Sequence, residues 1–140
     1  MITDLSTDRT ICLQTHLGGD RNFCYLIGDP DSGKAAAVDP GFAPEKFAAL
    51  AHAEGLGINV SLITHGHPDH TGGLEKLRGL TGATVFGGAE DNVPNSEPLS
   101  DGQIIQVGGL DITALATPGH SPGHFCYLCE GCLVTGDILF

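Results

Sequence analysis

Residues 64–70 read THGHPDH. Three histidines crowded together would repel one another when protonated and would compete for the same solvent, whereas a metal ion binds neutral imidazole and carboxylate side by side. The stretch follows the apolar run 60–63 and precedes a segment with helical spacing, so we expect it at the carboxyl end of a strand, where α/β folds place their chemistry. It therefore predicts a metal site. The alternative is a histidine-rich surface turn in which Asp69 caps a helix.

The spacing within this stretch favours two neighbouring metal sites over one. His65 and His67 are two positions apart, so on an extended segment they share a side and converge on one ion. Pro68 breaks the extended run, and Asp69 and His70 then turn away from that pair.

Two later segments add further candidate ligands. Residues 117–124 read TPGHSPGH and follow a predicted strand, which places His120 in a loop fixed by glycine and proline. Residues 135–137 read TGD and put Asp137 at the end of another apolar run. An aspartate after a strand is by itself commonly a turn residue. Together, however, the three segments supply ligands at consecutive strand ends.

The chain reads as one α/β domain spanning residues 1–140, with a mixed sheet layered by helices. Helical spacing predicts helices over 44–54 and 71–80, and 89–102 reads as an irregular loop. Short apolar runs between turn residues predict strands over 11–13, 23–27, 35–38, 59–64, 84–86, 103–107, 110–116, 125–128 and 132–135.

Composition excludes several kinds of partner. The net charge of −11 argues against nucleic-acid backbones and anionic membrane surfaces. No run approaches the roughly 18 apolar residues that a membrane helix needs. The first ten residues lack the basic and apolar regions of a secretory signal. The five cysteines are an odd number, which favours a cytoplasmic chain with reduced thiols.

The heptapeptide and the glycines after it resemble the T-H-x-H-x-D-H motif of the metallo-β-lactamase superfamily. Asp39 in VDPG, residues 117–120 and residues 136–140 match the other motifs of that family in order. Within the superfamily, residues 111–127 resemble glyoxalase II, the hydroxyacylglutathione hydrolases. His70, where true β-lactamases have arginine, argues against that branch. The resemblance implies a four-layered αββα sandwich, of which this chain holds the N-terminal part.

The same resemblance implies six metal ligands, divided between two sites: His65, His67 and His120 at the first, Asp69 and His70 at the second, and Asp137 bridging both. The metal would be zinc, as one or two ions, with iron or manganese as alternatives. Asp39 would orient a ligand from the second shell.

The activity implied is hydrolysis of a small thioester or ester by a metal-activated hydroxide. The catalytic residues would be Asp69, which steers the nucleophile, and Asp137. One alternative is an iron dioxygenase acting on glutathione persulfide, with His65, His120 and Asp137 on the metal. The other is a catalytically silent metal-binding module.

The chain ends three residues after Asp137, whereas the family has a further histidine and the second half of the fold downstream. We therefore expect weak occupancy of the second metal site. We also expect an exposed apolar sheet face, normally packed on a partner sheet, and an open edge at the last strand. These features predict a homodimer or strand-swapped assembly; the alternative is a fragment of a longer protein.

Other histidines and cysteines are assigned no metal. His124 is expected not to be a ligand, because His120 matches the family position, and His16 and His52 are expected at the surface. Three cysteines, at 126, 129 and 132, have the spacing of a metal knot. No fourth ligand is evident, so a hairpin that happens to carry thiols is favoured.

Overall fold

The first layer of the fold is a mixed sheet, seen in a computed structural model that describes residues 2–15, 23–41, 43–67, 71–130 and 132–136. Its seven described strands lie in chain order, antiparallel from β1 to β4 and parallel from β4 to β7. They are β1 (Ile2–Asp4), β2 (Ile11–Thr15), β3 (Cys24–Asp29), β4 (Lys34–Val38), β5 (Gly57–Leu62), β6 (Thr84–Gly87) and β7 (Glu97–Pro98).

Two helices make the parallel crossovers and pack on one face of this sheet. They are α1 (Pro44–Ala53) and α2 (Leu74–Thr81). Their apolar faces, including Phe47 and Leu77, form a core with Ala35 and Ala37 of β4. The strand β4 is buried on both faces, and its alanines let the helices lie close to the sheet.

A second, antiparallel sheet covers the other face. Its described strands are β8 (Ile104–Val107), β9 (Leu110–Ala116), β10 (Phe125–Cys129) and β11 (Cys132–Val134), ordered β11-β10-β9-β8. Val38 and Leu62 of the first sheet pack against Ile112 and Tyr127 of the second. The layers are therefore helices, mixed sheet and antiparallel sheet, which confirms the predicted N-terminal part of an αββα sandwich.

The expected exposed face lies elsewhere than predicted. The faces between the two sheets are buried against each other, whereas the outer face of the second sheet carries a row of exposed apolar side chains. Ile104, Leu128 and Leu133 are 57%, 39% and 50% exposed. Cross-strand pairing through Thr113 places them side by side. This row, Ile104–Thr113–Leu128–Leu133, is called the outer stripe below.

The helix predicted over 71–80 is interrupted near its start. Thr71 is helical, the chain turns at Gly72 and Gly73, and α2 begins at Leu74. Gly73 packs against the backbone that enters α1, where a Cβ would lie 2.6 Å from the Pro40 carbonyl oxygen. The segment predicted as an irregular loop contains a 3-10 helix, Ala89–Asp91, and the short strand β7. In the described part of the chain, neither helix has the length and apolar character needed to cross a membrane.

Candidate metal centre

Three imidazoles from two loops meet at one edge of the sandwich. His65 and His67 follow β5, and His120 lies between β9 and β10. One ring nitrogen of each lies within 4.8 Å of those of the other two. His65 is buried, whereas His67 and His120 are exposed, so the group is open to solvent on one side. Among the described residues, this is where three potential metal ligands come together.

The donor set fits a transition-metal ion. Nε2 of His120 lies 3.2 Å from Nδ1 of His67, and the rings meet edge to face with centroids 4.8 Å apart. Neutral imidazole is the form that binds metal. Three neutral imidazoles are a ligand set that zinc uses.

A buried hydrogen-bond chain orients His65. Asp39 accepts two hydrogen bonds from Thr64, one from the backbone N–H at 2.7 Å and one from Oγ1 at 2.6 Å. Since the threonine hydroxyl donates to the carboxylate, its oxygen is left to accept from Nδ1 of His65, 2.9 Å away. The proton then resides on Nδ1, and Nε2 is left as the metal-binding nitrogen.

Replacing Thr64 with valine is expected to lower zinc affinity by about 10- to 100-fold, the usual cost of losing a residue that orients a ligand. Valine keeps the shape but removes the hydroxyl that joins Asp39 to His65. Competition with a chromophoric chelator measures the change. Thr84→Val, at an exposed position on β6, is the matched control. Equal affinities for the two variants would contradict the assigned role.

Asp91 joins the two ligand-bearing loops, and no motif in the sequence indicated it. Its carboxylate accepts hydrogen bonds from the Gly66 N–H at 2.8 Å, the Ser121 hydroxyl at 2.7 Å and the Gly123 N–H at 2.8 Å. Partial burial by itself would raise the pKa of Asp91. The bonds from Ser121, Gly66 and Gly123, together with nearby His65, outweigh burial and lower it. Asp91 is therefore an anionic clamp between the loops.

Gly66 and Gly123 have to be glycines, because the backbone of Asp91 lies too close to each of them for a side chain to fit. A Cβ on Gly66 would lie 2.8 Å from the Asp91 carbonyl oxygen, and one on Gly123 would lie 2.7 Å from the Asp91 nitrogen. Real Cβ atoms do not come that near to backbone. Both glycines therefore let the loops reach the 3-10 helix that carries Asp91.

His124 lies beside the site rather than in the three-histidine group. Its ring stacks on that of His65, with centroids 5.2 Å apart and planes 22° apart, and its Nδ1 lies 2.9 Å from Thr117 Oγ1. Sequence reasoning weighed His124 only as a ligand and missed this packing role. That it binds no metal stays a prediction.

The third predicted segment also reaches this edge. Gly136 follows β11 with a left-handed φ of 58°, and a Cβ there would lie 2.6 Å from Thr64 Oγ1 and 2.8 Å from His124 Nε2. Asp69, His70 and Asp137 lie outside the described residues, as does His16, so their predicted roles stay predictions. His52 is exposed on α1, as expected.

The late cysteines do not converge as a metal knot. Cys126 and Cys129 are three positions apart on β10, so their side chains leave opposite faces of the sheet. Cys129 joins the core between the sheets, whereas Cys126 lies 3.3 Å from Thr117 Oγ1. The interpretation of a hairpin carrying thiols fits this arrangement.

A mixed sheet packed on an antiparallel sheet, with a three-histidine group at their shared edge, defines a protein of the metal-binding αββα sandwich class. The chain belongs to the metallo-beta-lactamase superfamily, whose family model matches residues 17–140.

Curated relatives include two proteins named hydroxyacylglutathione hydrolase. The one from Pseudomonas fluorescens is 38% identical over 120 residues, covering 85% of this chain and 47% of its own length. The one from Ectopseudomonas mendocina is 42% identical over 123 residues, covering 85% and 48%. The crystal structure of ETHE1 from Myxococcus xanthus matches with a TM-score of 0.84 and 30% identity, covering 93% of this chain and 58% of that one. The chain thus spans about half the length of these curated relatives.

Proposed function

We propose that this chain carries the metal site of a hydrolase that cleaves a small thioester or ester, of the glyoxalase II type. The observation that carries the proposal is the convergence of His65, His67 and His120, with ligand nitrogens within 4.8 Å of one another. The hydroxyacylglutathione hydrolases among its relatives support the choice of a thioester.

Zinc is the proposed metal, with iron or manganese as alternatives, because histidine-rich sites select poorly among these ions by affinity alone. When bound, the ion supplies the Lewis acidity that makes a nucleophilic water available near neutral pH and polarises a carbonyl oxygen. His65, His67 and His120 would hold the first ion. Asp69 and His70 would hold a second, and Asp137 would bridge the two.

The chain's own residues prepare the site in two ways. Asp39 and Thr64 keep the proton of His65 on Nδ1, away from the open side of the site. The exposed rings of His67 and His120 leave room for a substrate to approach from solvent. In this scheme the carboxylates of Asp69 and Asp137 position the attacking water.

Turnover with zinc restored is the direct test. We expect the purified chain to hydrolyse S-lactoylglutathione, and His65→Ala to lose that activity, because His65 is the buried member of the three-histidine group. Thiol release measures the rate. Oxygen uptake with glutathione persulfide, in place of hydrolysis, would support the iron dioxygenase. Equal rates for wild type and His65→Ala would indicate a metal-binding module without catalysis.

We also propose that the chain associates with a second copy of itself. The outer stripe exposes Ile104, Leu128 and Leu133 next to one another, and β11 lies at the edge of its sheet among the described strands. A second copy that covers the stripe would bury these side chains. We expect size-exclusion chromatography with light scattering to give a dimer, and Leu133→Lys to weaken it. A clean wild-type monomer would contradict the proposal. A cytoplasmic location is proposed from the odd number of cysteines, five in the chain.

A further inference from the structure

Two cysteine thiols from the two different sheets lie in contact, away from the histidine site. Cys12 is on β2 of the mixed sheet, and Cys132 is at the start of β11 in the antiparallel sheet. Their sulfur atoms are 3.2 Å apart although 120 positions separate them in the chain. Neither thiol takes part in the proposed hydrolysis.

The distance is close to what a disulfide needs. A disulfide bond is about 2.05 Å long, so the sulfurs have to approach by about 1 Å, which small side-chain rotations supply. Cys129 is the competing partner, because it is the cross-strand neighbour of Cys132 in the β10–β11 hairpin. The direct contact of the two sulfurs favours Cys12.

The pair has one reachable and one sheltered thiol. Cys132 is partly exposed and lines an open surface cleft with Leu5, Thr7 and Glu130, whereas Cys12 is buried. The contact with Cys12 lowers the pKa of Cys132. The same contact, and then burial, raise the pKa of Cys12. Because Cys132 is the partly exposed member of the pair, it is the thiol that supplies the accessible thiolate.

We propose that Cys12 and Cys132 form a redox modification site, which a low-molecular-weight disulfide such as oxidised glutathione converts to an intrachain disulfide between the two sheets. The Cys132 thiolate attacks one sulfur of the glutathione disulfide, forming a mixed disulfide and releasing one glutathione thiolate. Cys12, after losing its proton to solvent, attacks the Cys132 sulfur and releases the second glutathione. Two electrons pass from the protein dithiol to the added disulfide, which leaves as two glutathione thiols.

The bond would fasten β2 to β11 and close nearly the whole chain into a loop. Cross-linking such distant positions restricts the unfolded state strongly, and we expect the thermal midpoint to rise on the order of 10 °C on oxidation. Dithiothreitol should reverse both the bond and the shift.

The test treats the native wild-type chain with oxidised glutathione and maps the product. We expect two of the five thiols to disappear, with a loss of mass equal to two hydrogens and no glutathione retained. Trypsin, cutting at Arg9 and Arg21, separates Cys12 from Cys24, and a glutamate-specific protease, cutting after Glu130, separates Cys129 from Cys132. The linked peptides should contain Cys12 and Cys132.

Two serine variants distinguish a Cys12–Cys132 bond from a Cys129–Cys132 bond. Cys132→Ser should abolish the bond, whereas Cys129→Ser, which alters the neighbouring thiol, should leave it intact. A Cys129–Cys132 link, glutathione retained on Cys132 without closure, or five thiols still titratable would each overturn the proposal. Mapping of the wild type needs no variant to fold. Oxidation in denaturant should give mixed pairings, since the contact exists only in the folded chain.

Discussion

Replacing His120 with alanine is expected to lower zinc affinity by at least about a hundredfold and to remove hydrolysis. Residues that merely orient a ligand already contribute about 10- to 100-fold, so loss of a ligand itself should cost no less. His120 is the member of the group that comes from the β9–β10 loop, and its Nε2 lies 3.2 Å from Nδ1 of His67. Without it, the three-histidine group keeps only His65 and His67, which come from one short segment. Chelator competition gives the affinity, and elemental analysis gives the metal content after purification.

His52→Ala is the matched control for this variant. It removes an exposed imidazole from the end of α1, on a separate element from the site, and should change neither zinc affinity nor metal content. If His120→Ala binds zinc as tightly as His52→Ala does, His120 is not a ligand. A lower thermal midpoint without a change in affinity would assign it a structural role instead.

Replacing Asp91 with alanine is expected to give the second largest effect, although Asp91 is not a proposed ligand. Three donors from the two ligand loops lose their shared acceptor, and hydrogen bonds to charged groups contribute about 1.5–3 kcal/mol each. Water will compensate in part because Asp91 is only partly buried, so we expect about 2–4 kcal/mol less stability. Zinc affinity should fall by about 10- to 100-fold, since the loops no longer hold the histidines together.

Glu90→Ala controls for the 3-10 helix, because Glu90 is the exposed neighbour of Asp91 on the same turn. Thermal unfolding and zinc titration should both be carried out on each variant. A clamp predicts that Asp91→Ala loses affinity even at temperatures where it is fully folded. A variant that unfolds earlier but binds zinc normally when folded would show that Asp91 stabilises the fold without positioning ligands.

Most of the architecture could be predicted from local patterns. The strands that end before the ligand segments were predicted from short apolar runs. This was possible because the apolar pattern of a strand and the turn residues that bound it lie within a few positions of each other. The helix predicted over 71–80 is interrupted at Gly72 and Gly73, which the apolar spacing did not indicate. The exposed apolar face was also misplaced, since which face of a sheet stays open depends on how the layers stack.

Asp91 shows why part of the site escaped prediction. It lies in a segment without periodicity or a recognised motif, and its partners are 25 to 32 positions away along the chain. An acidic residue after Gly87 and Gly88 gives no local sign that it will accept bonds from two distant loops. The contact of Cys12 with Cys132 has the same character, because 120 positions separate the two residues and no local pattern pairs them.

The sequence by itself determined which kinds of ligand the chain carries and at which strand ends they occur. The spacing of the histidines and the positions of glycine and proline act over a few residues, so their meaning does not depend on distant parts of the chain. Only the tertiary structure decided that His65, His67 and His120 face one another, that Thr64 presents the Nε2 of His65, and that Asp91 clamps both loops. The contact of Thr64 with Asp39 forms when β4 and β5 pair in the mixed sheet. The contacts of the β9–β10 loop with His67 and Asp91 form only when the second sheet packs on the first, since packing brings together segments far apart in the chain.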